Sequence, residues 1–373
     1  MERPFIDMPY WGAFAAIGPI PERGSDPATY ALHPLATGPY KFADYTPGKS
    51  LTLVRNEHWD PETDPGRHDY LDRFEFRFGL PAKRVDAAIL GDSETAETTL
   101  TYNTVLPSDY RQAESLERLT LGPTSCTFLQ RPDYGDITDI RVRQAIGYAF
   151  PYDGLAKVFG LIEHVTLLRG SSVLPPEFPE REVYGVLDAE PGNTDPDKAQ
   201  ALLKEAGYAP GEFELNFLYS DDQKNSAEVR EQLVESFEAA GFKATPVGVP
   251  DDELFRVAAD PSAPVNLRVG GWCSDWPAGS SWFPPLFHSK GSSNVSMFAD
   301  PVIDAEIDRI AELPFEEQPA AWAALDKKIM TDYYPAVVIG YPAVAMLHGS
   351  KIGGMNADSV YGMPTWKDIF VVQ

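Results

Sequence analysis

One short stretch concentrates the residue types that could bind or react: Gly270-Gly271-Trp272-Cys273-Ser274-Asp275-Trp276-Pro277, followed by Trp282-Phe283-Pro284. Three indoles and a phenylalanine crowd a segment that also holds an acid. Such a set can wall an apolar pocket around a single anionic anchor, an arrangement suited to a ligand with an ammonium group. The paired glycines let another backbone approach closely. The same residues also read as core tryptophans beside an aspartate that caps a turn, and residue types alone leave both readings open.

Other candidate chemistry fails on spacing. Gly48-Lys49-Ser50 resembles the end of a phosphate-binding loop, but the glycine required five positions earlier is Ala43, and Pro47-Gly48 reads as a turn between strands. The six histidines are scattered without ligand spacing, so no metal site is expected. No pair of carboxylates stands out as an acid/base couple, and no cofactor motif is present. A net charge of −25 excludes a sequence-independent grip on nucleic acid and argues against docking on an anionic membrane. No apolar run reaches the ~18 residues of a membrane span. The longest, Ala336 to Leu347, is interrupted by Gly340 and Pro342. Met1-Glu2-Arg3-Pro4-Phe5 has neither an apolar signal core nor a lipid-attachment cysteine, so no export signal is expected here. The two cysteines, Cys126 and Cys273, fit either two buried thiols or one bridge.

The elements that must position the Trp-rich stretch follow from periodicity. Up to residue 125 the chain reads as mixed β structure, with alternation at Leu51–Arg55 and Arg73–Phe78. From Cys126 onward strands and helices alternate, which predicts an α/β lobe with a partly parallel sheet. Thr138 and Asp139 precede a helix through Ile140, Val142, Ile146 and Phe150. Asp195 and Pro196 open another, closed by Gly207. A strand spans 213–219, a helix presents Val229, Leu233 and Phe237, and a strand at 266–272 leads into the Trp-rich stretch. Asp300-Pro301 opens a helix. Another, marked by Trp322, Leu325 and Ile329, stops at Pro335 before a strand at 336–339. In such lobes ligands sit beyond the carboxyl ends of strands, which directs attention to the residues after 272.

Several motifs in order carry a family resemblance. His33-Pro34-Leu35-Ala36-Thr37-Gly38-Pro39-Tyr40-Lys41 is followed by Leu53-Val54-Arg55-Asn56-Glu57-His58-Trp59. Then come Asp139-Ile140-Arg141-Val142-Arg143-Gln144-Ala145-Ile146, the run from Asp195-Pro196-Asp197-Lys198 to Ala206-Gly207-Tyr208, and Gly271-Trp272-Cys273-Ser274-Asp275. Together they resemble the oligopeptide/dipeptide-binding proteins of ABC importers, extracytoplasmic solute-binding proteins of family 5. The match runs over nearly the whole chain.

The resemblance implies an α/β, periplasmic-binding-protein-like two-lobe clamp with mixed sheets. Residues 1–125, completed by 343–373, are the remainder of the first lobe; residues 126–342 form the C-terminal lobe with the ligand strand. In the family an export signal, the first strands of lobe one and a small extra domain precede the Thr37-Gly38-Pro39-Tyr40 segment, so an N-terminally truncated member is expected. Asp275 takes the place of the acid that pairs with the peptide's α-ammonium. The main chain of Gly271, Trp272 and Cys273 takes the place that hydrogen-bonds the peptide backbone. Trp272, Trp276 and Trp282 are expected as aromatic walls. A Cys126–Cys273 disulfide is implied, because the family bridges the corresponding pair. A family arginine for the peptide carboxylate is not carried over: Arg268 is one residue out of register, which on a strand points to the other face, and Val269 takes the matching place. The implied partners are a peptide and the permease subunits of an importer, with the protein monomeric, without a cofactor, not an enzyme, and located in the periplasm or lipid-anchored outside the cell membrane. Alternatives are a same-fold receptor for a signalling peptide, for a metal chelate or for a sugar, and, from another class, a hydrolase using a carboxylate pair.

Overall fold

Aspartates open the helices where the sequence places them. Asp139 accepts from the Arg141 amide at 2.9 Å and starts the helix Ile140–Ala149. Asp195 accepts from the Lys198 amide at 3.1 Å, with Pro196 next, and starts Pro196–Glu205. Asp300 caps Pro301–Ala311 in the same way. Each side-chain oxygen satisfies an amide that the first helical turn leaves without a partner. Gly207, at φ +98°, turns the chain in the left-handed region just past the second helix. Arg141 ties two of these helices together: it pairs with Asp139 at 2.6 Å and donates to the Glu205 carbonyl, also at 2.6 Å. This computed structural model describes residues 6–14, 18–22, 26–179, 181–187, 192–358 and 360–372. The reading of Met1 to Phe5 lies outside them.

The chain divides into two units. The smaller is formed by Asp7–Gly122, Val344–Asp358 and Gly362–Gln373. Its first sheet is an antiparallel meander of β1 (Tyr40–Thr46), β2 (Ser50–Arg55) and β3 (Arg73–Arg77). Asn56 joins the first two sequence motifs physically. Its amide donates to the carbonyls of Ala36 at 3.0 Å and Gly38 at 2.9 Å, fixing the turn that leads into β1. Further strands are β4 (Leu100–Thr104) and β5 (Leu119–Pro123).

The larger unit is built on Pro123–Ala343 and takes in Val360 and Tyr361. Its strands are β6 (Cys126–Pro132), β7 (Leu167–Leu168), β8 (Glu214–Ser220), β9 (Lys243–Val249), β10 (Leu267–Cys273) and the first part of β11 (Val337–His348). The order β11-β6-β10-β8-β9 is mixed: the first two pairings are antiparallel, and β10/β8 and β8/β9 are parallel. Helices pack on this sheet through a large apolar core. In it Trp322 stacks on Phe283 at 5.3 Å, and Phe217 meets Phe237 at 5.5 Å.

The structure extends the strand expected at 336–339. β11 continues through Gly340 and Pro342 to His348, and its second part pairs with β4 inside the smaller unit. Gly340 makes this possible. It sits at φ +151° beside a register shift, and a Cβ there would lie 2.7 Å from the Leu168 carbonyl. Pro342 lacks an N–H, but its carbonyl accepts from the Thr124 amide at 3.1 Å and hydroxyl at 2.8 Å.

Arg268 is wholly buried and pairs with buried Asp133 at 2.9 Å. Its other donors reach the carbonyls of Ala258 at 3.0 Å and Asp260 at 2.8 Å. Removing one partner strands a desolvated charge. Arg268→Ala is therefore expected to destabilise the protein by about 3–5 kcal/mol in denaturant unfolding, and Arg268→Ala/Asp133→Ala by less than the sum of the two single changes.

Candidate functional site

β10 pairs with β6 along its whole length: Leu267 stands opposite Pro132, Gly271 opposite Phe128, Trp272 opposite Thr127, and Cys273 opposite Cys126. Among the described residues its other edge meets β8 only at Leu267, and from Val269 to Cys273 no described strand pairs with that edge. The unpaired edge offers main-chain donors and acceptors to an extended segment, as strand addition requires.

Cross-strand register brings Cys126 and Cys273 together, and they form a disulfide. The bridge closes a sequence separation of 147 residues. One step further the pairing persists, with the Ser274 amide donating to the Ser125 carbonyl at 3.0 Å. The loop with Asp275 thus leaves a doubly fastened strand end.

The three indoles hold that loop through their N–H groups. Trp272 donates to the Ser281 carbonyl at 2.7 Å, Trp276 to the Ser280 hydroxyl at 3.1 Å, and Trp282 to the Ser274 hydroxyl at 2.6 Å. Ser281 returns a bond to the Trp276 carbonyl at 3.0 Å. Trp282 is 0% exposed and set edge-on to Phe178 within the core, while Trp276 is 8% exposed. This corrects the expectation of aromatic walls at Trp276 and Trp282. Their rings pack inward, because a buried indole N–H needs a partner and the loop serines supply it. Trp272 is half-buried against the same core.

Side-chain alternation along the ladder separates two faces. Trp272, Gly270 and their partners Thr127 and Leu129 share one, where Thr127 and Leu129 are buried. Gly270 belongs there for room: a Cβ would press on the Arg131 side chain at 2.8 Å. Arg131 lies beneath it with no carboxylate partner among the described residues. It donates to the Leu286 carbonyl and the Ser296 hydroxyl, its guanidinium sits over the Phe287 ring, and burial pushes its pKa down to about 10. The other face carries Gly271, Phe128 and the disulfide; Gly271 and Phe128 are exposed there, Phe128 at 41%. Phe128 is an open aromatic that sequence reasoning missed; alternation along 126–132 was the signal that could have found it.

Asp275 follows Ser274 and is exposed. Among the described residues its carboxylate has no hydrogen-bond or ion-pair partner, and partial desolvation raises its pKa above the ordinary aspartate value. Its main-chain carbonyl accepts from the Tyr361 hydroxyl at 3.2 Å. Among the described residues the turn-capping reading of Asp275 finds no bond to support it. A separate pocket of about 370 Å³ in the smaller unit is lined by Tyr70, Gly354, Asn356, Asp368 and Phe370, but its one carboxylate is already paired with Lys367 at 2.7 Å. Among the described residues no three His, Cys, Asp or Glu side chains cluster as a metal site, and no helix is long and apolar enough to cross a membrane.

The family described as bacterial extracellular solute-binding proteins, family 5 Middle, matches residues 2–294. Haem-binding protein A of Haemophilus influenzae is 22% identical over 363 residues, covering 91% of this chain and 61% of the relative. The glutathione-binding protein GsiB of Salmonella choleraesuis is 26% identical over 328 residues, covering 79% and 57%. The chain thus spans about 60% of the length of these curated relatives. Among solved structures, the clavulanic acid biosynthesis oligopeptide binding protein 2 superposes with a TM-score of 0.83 at 22% identity, over all of this chain and 69% of that one. This likeness shows the two-lobe α/β fold with a mixed sheet.

The bridge and the indole bonds make separate contributions to one strand end. Cys126→Ser/Cys273→Ser is expected to lose up to about 5 kcal/mol of unfolding free energy in the chain-entropy description. Trp282→Phe, which leaves the Ser274 hydroxyl without its donor, is expected to lose about 1–3 kcal/mol. Denaturant titration of each variant measures both losses.

Proposed function

The chain belongs to the bacterial extracellular solute-binding proteins of family 5, and we propose that it captures peptides by their free amino end and hands them to the permease of an ABC importer. One observation carries this reading: a partly desolvated carboxylate at Asp275 with no partner among the described residues, at the end of a strand whose outer edge no described strand covers. A peptide supplies both complements. Its main chain adds to the edge of β10 at Gly271, Trp272 and Cys273, with affinity independent of sequence. Its ammonium meets Asp275, where each charge lowers the other's desolvation penalty. Arg268 has no part in this, because Asp133 already holds it.

The relatives named for haem and for glutathione leave the class of ligand open. Asp275 favours a cationic end group over haem, whose carboxylates it would repel. A signalling-peptide receptor would use the same anchor and differ only in its downstream partner. The proposal places the protein outside the cytoplasm, in the periplasm or anchored at the outer face of the membrane, as a monomer that performs no catalysis. It also treats the two units as the two lobes of the clamp.

Thermal shift and calorimetric titration with short peptides, free or N-acetylated, test the anchor. The free forms are expected to bind about 10- to 100-fold more tightly, the worth of one charge-assisted hydrogen bond. Asp275→Asn is expected to erase that difference. Equal affinity for the two forms in the wild type overturns the reading. The pH dependence has a definite sign. The ammonium binds the ionised carboxylate, and the carboxyl pKa in the free protein is raised. Affinity should therefore hold at neutral pH and fall as pH drops through that raised value, earlier than for an ordinary exposed aspartate. In Asp275→Asn this pH dependence should vanish.

A further inference from the structure

Two residues from late in the chain reach the strand end that carries the anchor. The flanking segments Val344–Asp358 and Gly362–Gln373 belong to the smaller unit, while Val360 and Tyr361 belong to the larger. The Val360 carbonyl accepts from the Ser125 amide at 3.3 Å and from the Ser125 hydroxyl. The Tyr361 hydroxyl donates to the Asp275 carbonyl at 3.2 Å. Ser125 immediately precedes Cys126, and Asp275 lies two residues after Cys273. The dipeptide therefore bonds both segments just beyond the disulfide.

We propose that Tyr361 is a positioning residue for the amino-end anchor: its hydroxyl fixes the peptide plane from which the Asp275 side chain projects, and its ring borders the site. The proposal rests on the reading that Asp275 binds an ammonium, and assigns to Tyr361 a share of that selectivity. Three observations support a role beyond packing. Tyr361 is 52% exposed, so its ring is not required to fill the core. The indole bonds from Trp272, Trp276 and Trp282 fasten the loop at Ser274, Ser280 and Ser281, leaving the Asp275 main chain to be held by Tyr361. An exposed aromatic face next to the anchoring acid also offers an ammonium a second, electrostatically favourable contact.

A directional consequence separates positioning from mere stability. A main-chain bond that aims the carboxylate acts on ligands that use the carboxylate and leaves N-acetylated peptides unaffected. The readout is therefore the ratio of affinities for free and N-acetylated forms of one peptide, with melting temperature recorded for each variant. Tyr361→Phe, which keeps the ring and removes the hydroxyl, should narrow that ratio about 3- to 10-fold. Tyr361→Leu should narrow it further, and affinity for the acetylated peptide should stay as in the wild type in both. If Tyr361→Phe lowers the melting temperature but keeps the wild-type ratio, or weakens both peptides equally, Tyr361 is a structural residue and the inference is overturned. Failure of the underlying reading looks different. There the wild-type ratio is already near one and Asp275→Asn changes nothing, whatever Tyr361 does.

Discussion

Register between β6 and β10 is the constraint on which the rest of the site depends. Shifting it by one residue would exchange the two faces of the ladder. Trp272 would then leave the core, Gly271 would turn inward, and the two cysteines would no longer stand opposite each other. With the register as it is, the bridge, the Ser274–Ser125 bond and the Val360–Ser125 bond fall within a few residues of one another. The acid that follows leaves a strand end fastened by these bonds, and a group held in this way would lose little further freedom on contact with a ligand.

Local signals made much of this visible in advance. Aspartate caps, a proline at a first helical position and alternating strands mark the elements closely. The family resemblance implied the bridge that the structure contains. What stayed hidden depends on contacts distant in sequence. Gly340 and Pro342 read as interruptions of β11 because nothing local reveals that Leu168 and Thr124 lie alongside to accommodate them. The tryptophans read as pocket walls because residue type says nothing of direction, whereas the serines that accept their N–H groups turn Trp276 and Trp282 inward. Gly270 read as room for another backbone to approach, and what lies against it is the Arg131 side chain. Tyr361 could not be associated with Asp275 at all, since 86 positions separate them.

Among the described residues three arginines are buried in a chain of net charge −25, yet they are not neutralised alike. Arg268 has Asp133. Arg143 instead donates to the carbonyls of Ile137 and Tyr333 and lies over the Tyr134 ring. Arg131 relies on a carbonyl, a hydroxyl and the Phe287 ring. Carbonyl dipoles and aromatic faces do for these two what a carboxylate does for the first, at a smaller desolvation penalty than a second buried ion would impose.

The path of β11 also bears on how the protein reaches its native state. Val337 pairs with Gln130, on the order of 200 residues earlier, so the sheet has high contact order and slow closure. A nascent polypeptide leaving the ribosome lacks this strand until most of the larger unit has been translated, and Val360 and Tyr361 emerge later still. Until then the edge of β6 that β11 covers stays open. The order in which the segments are made therefore delays completion of this sheet until β11 has been translated.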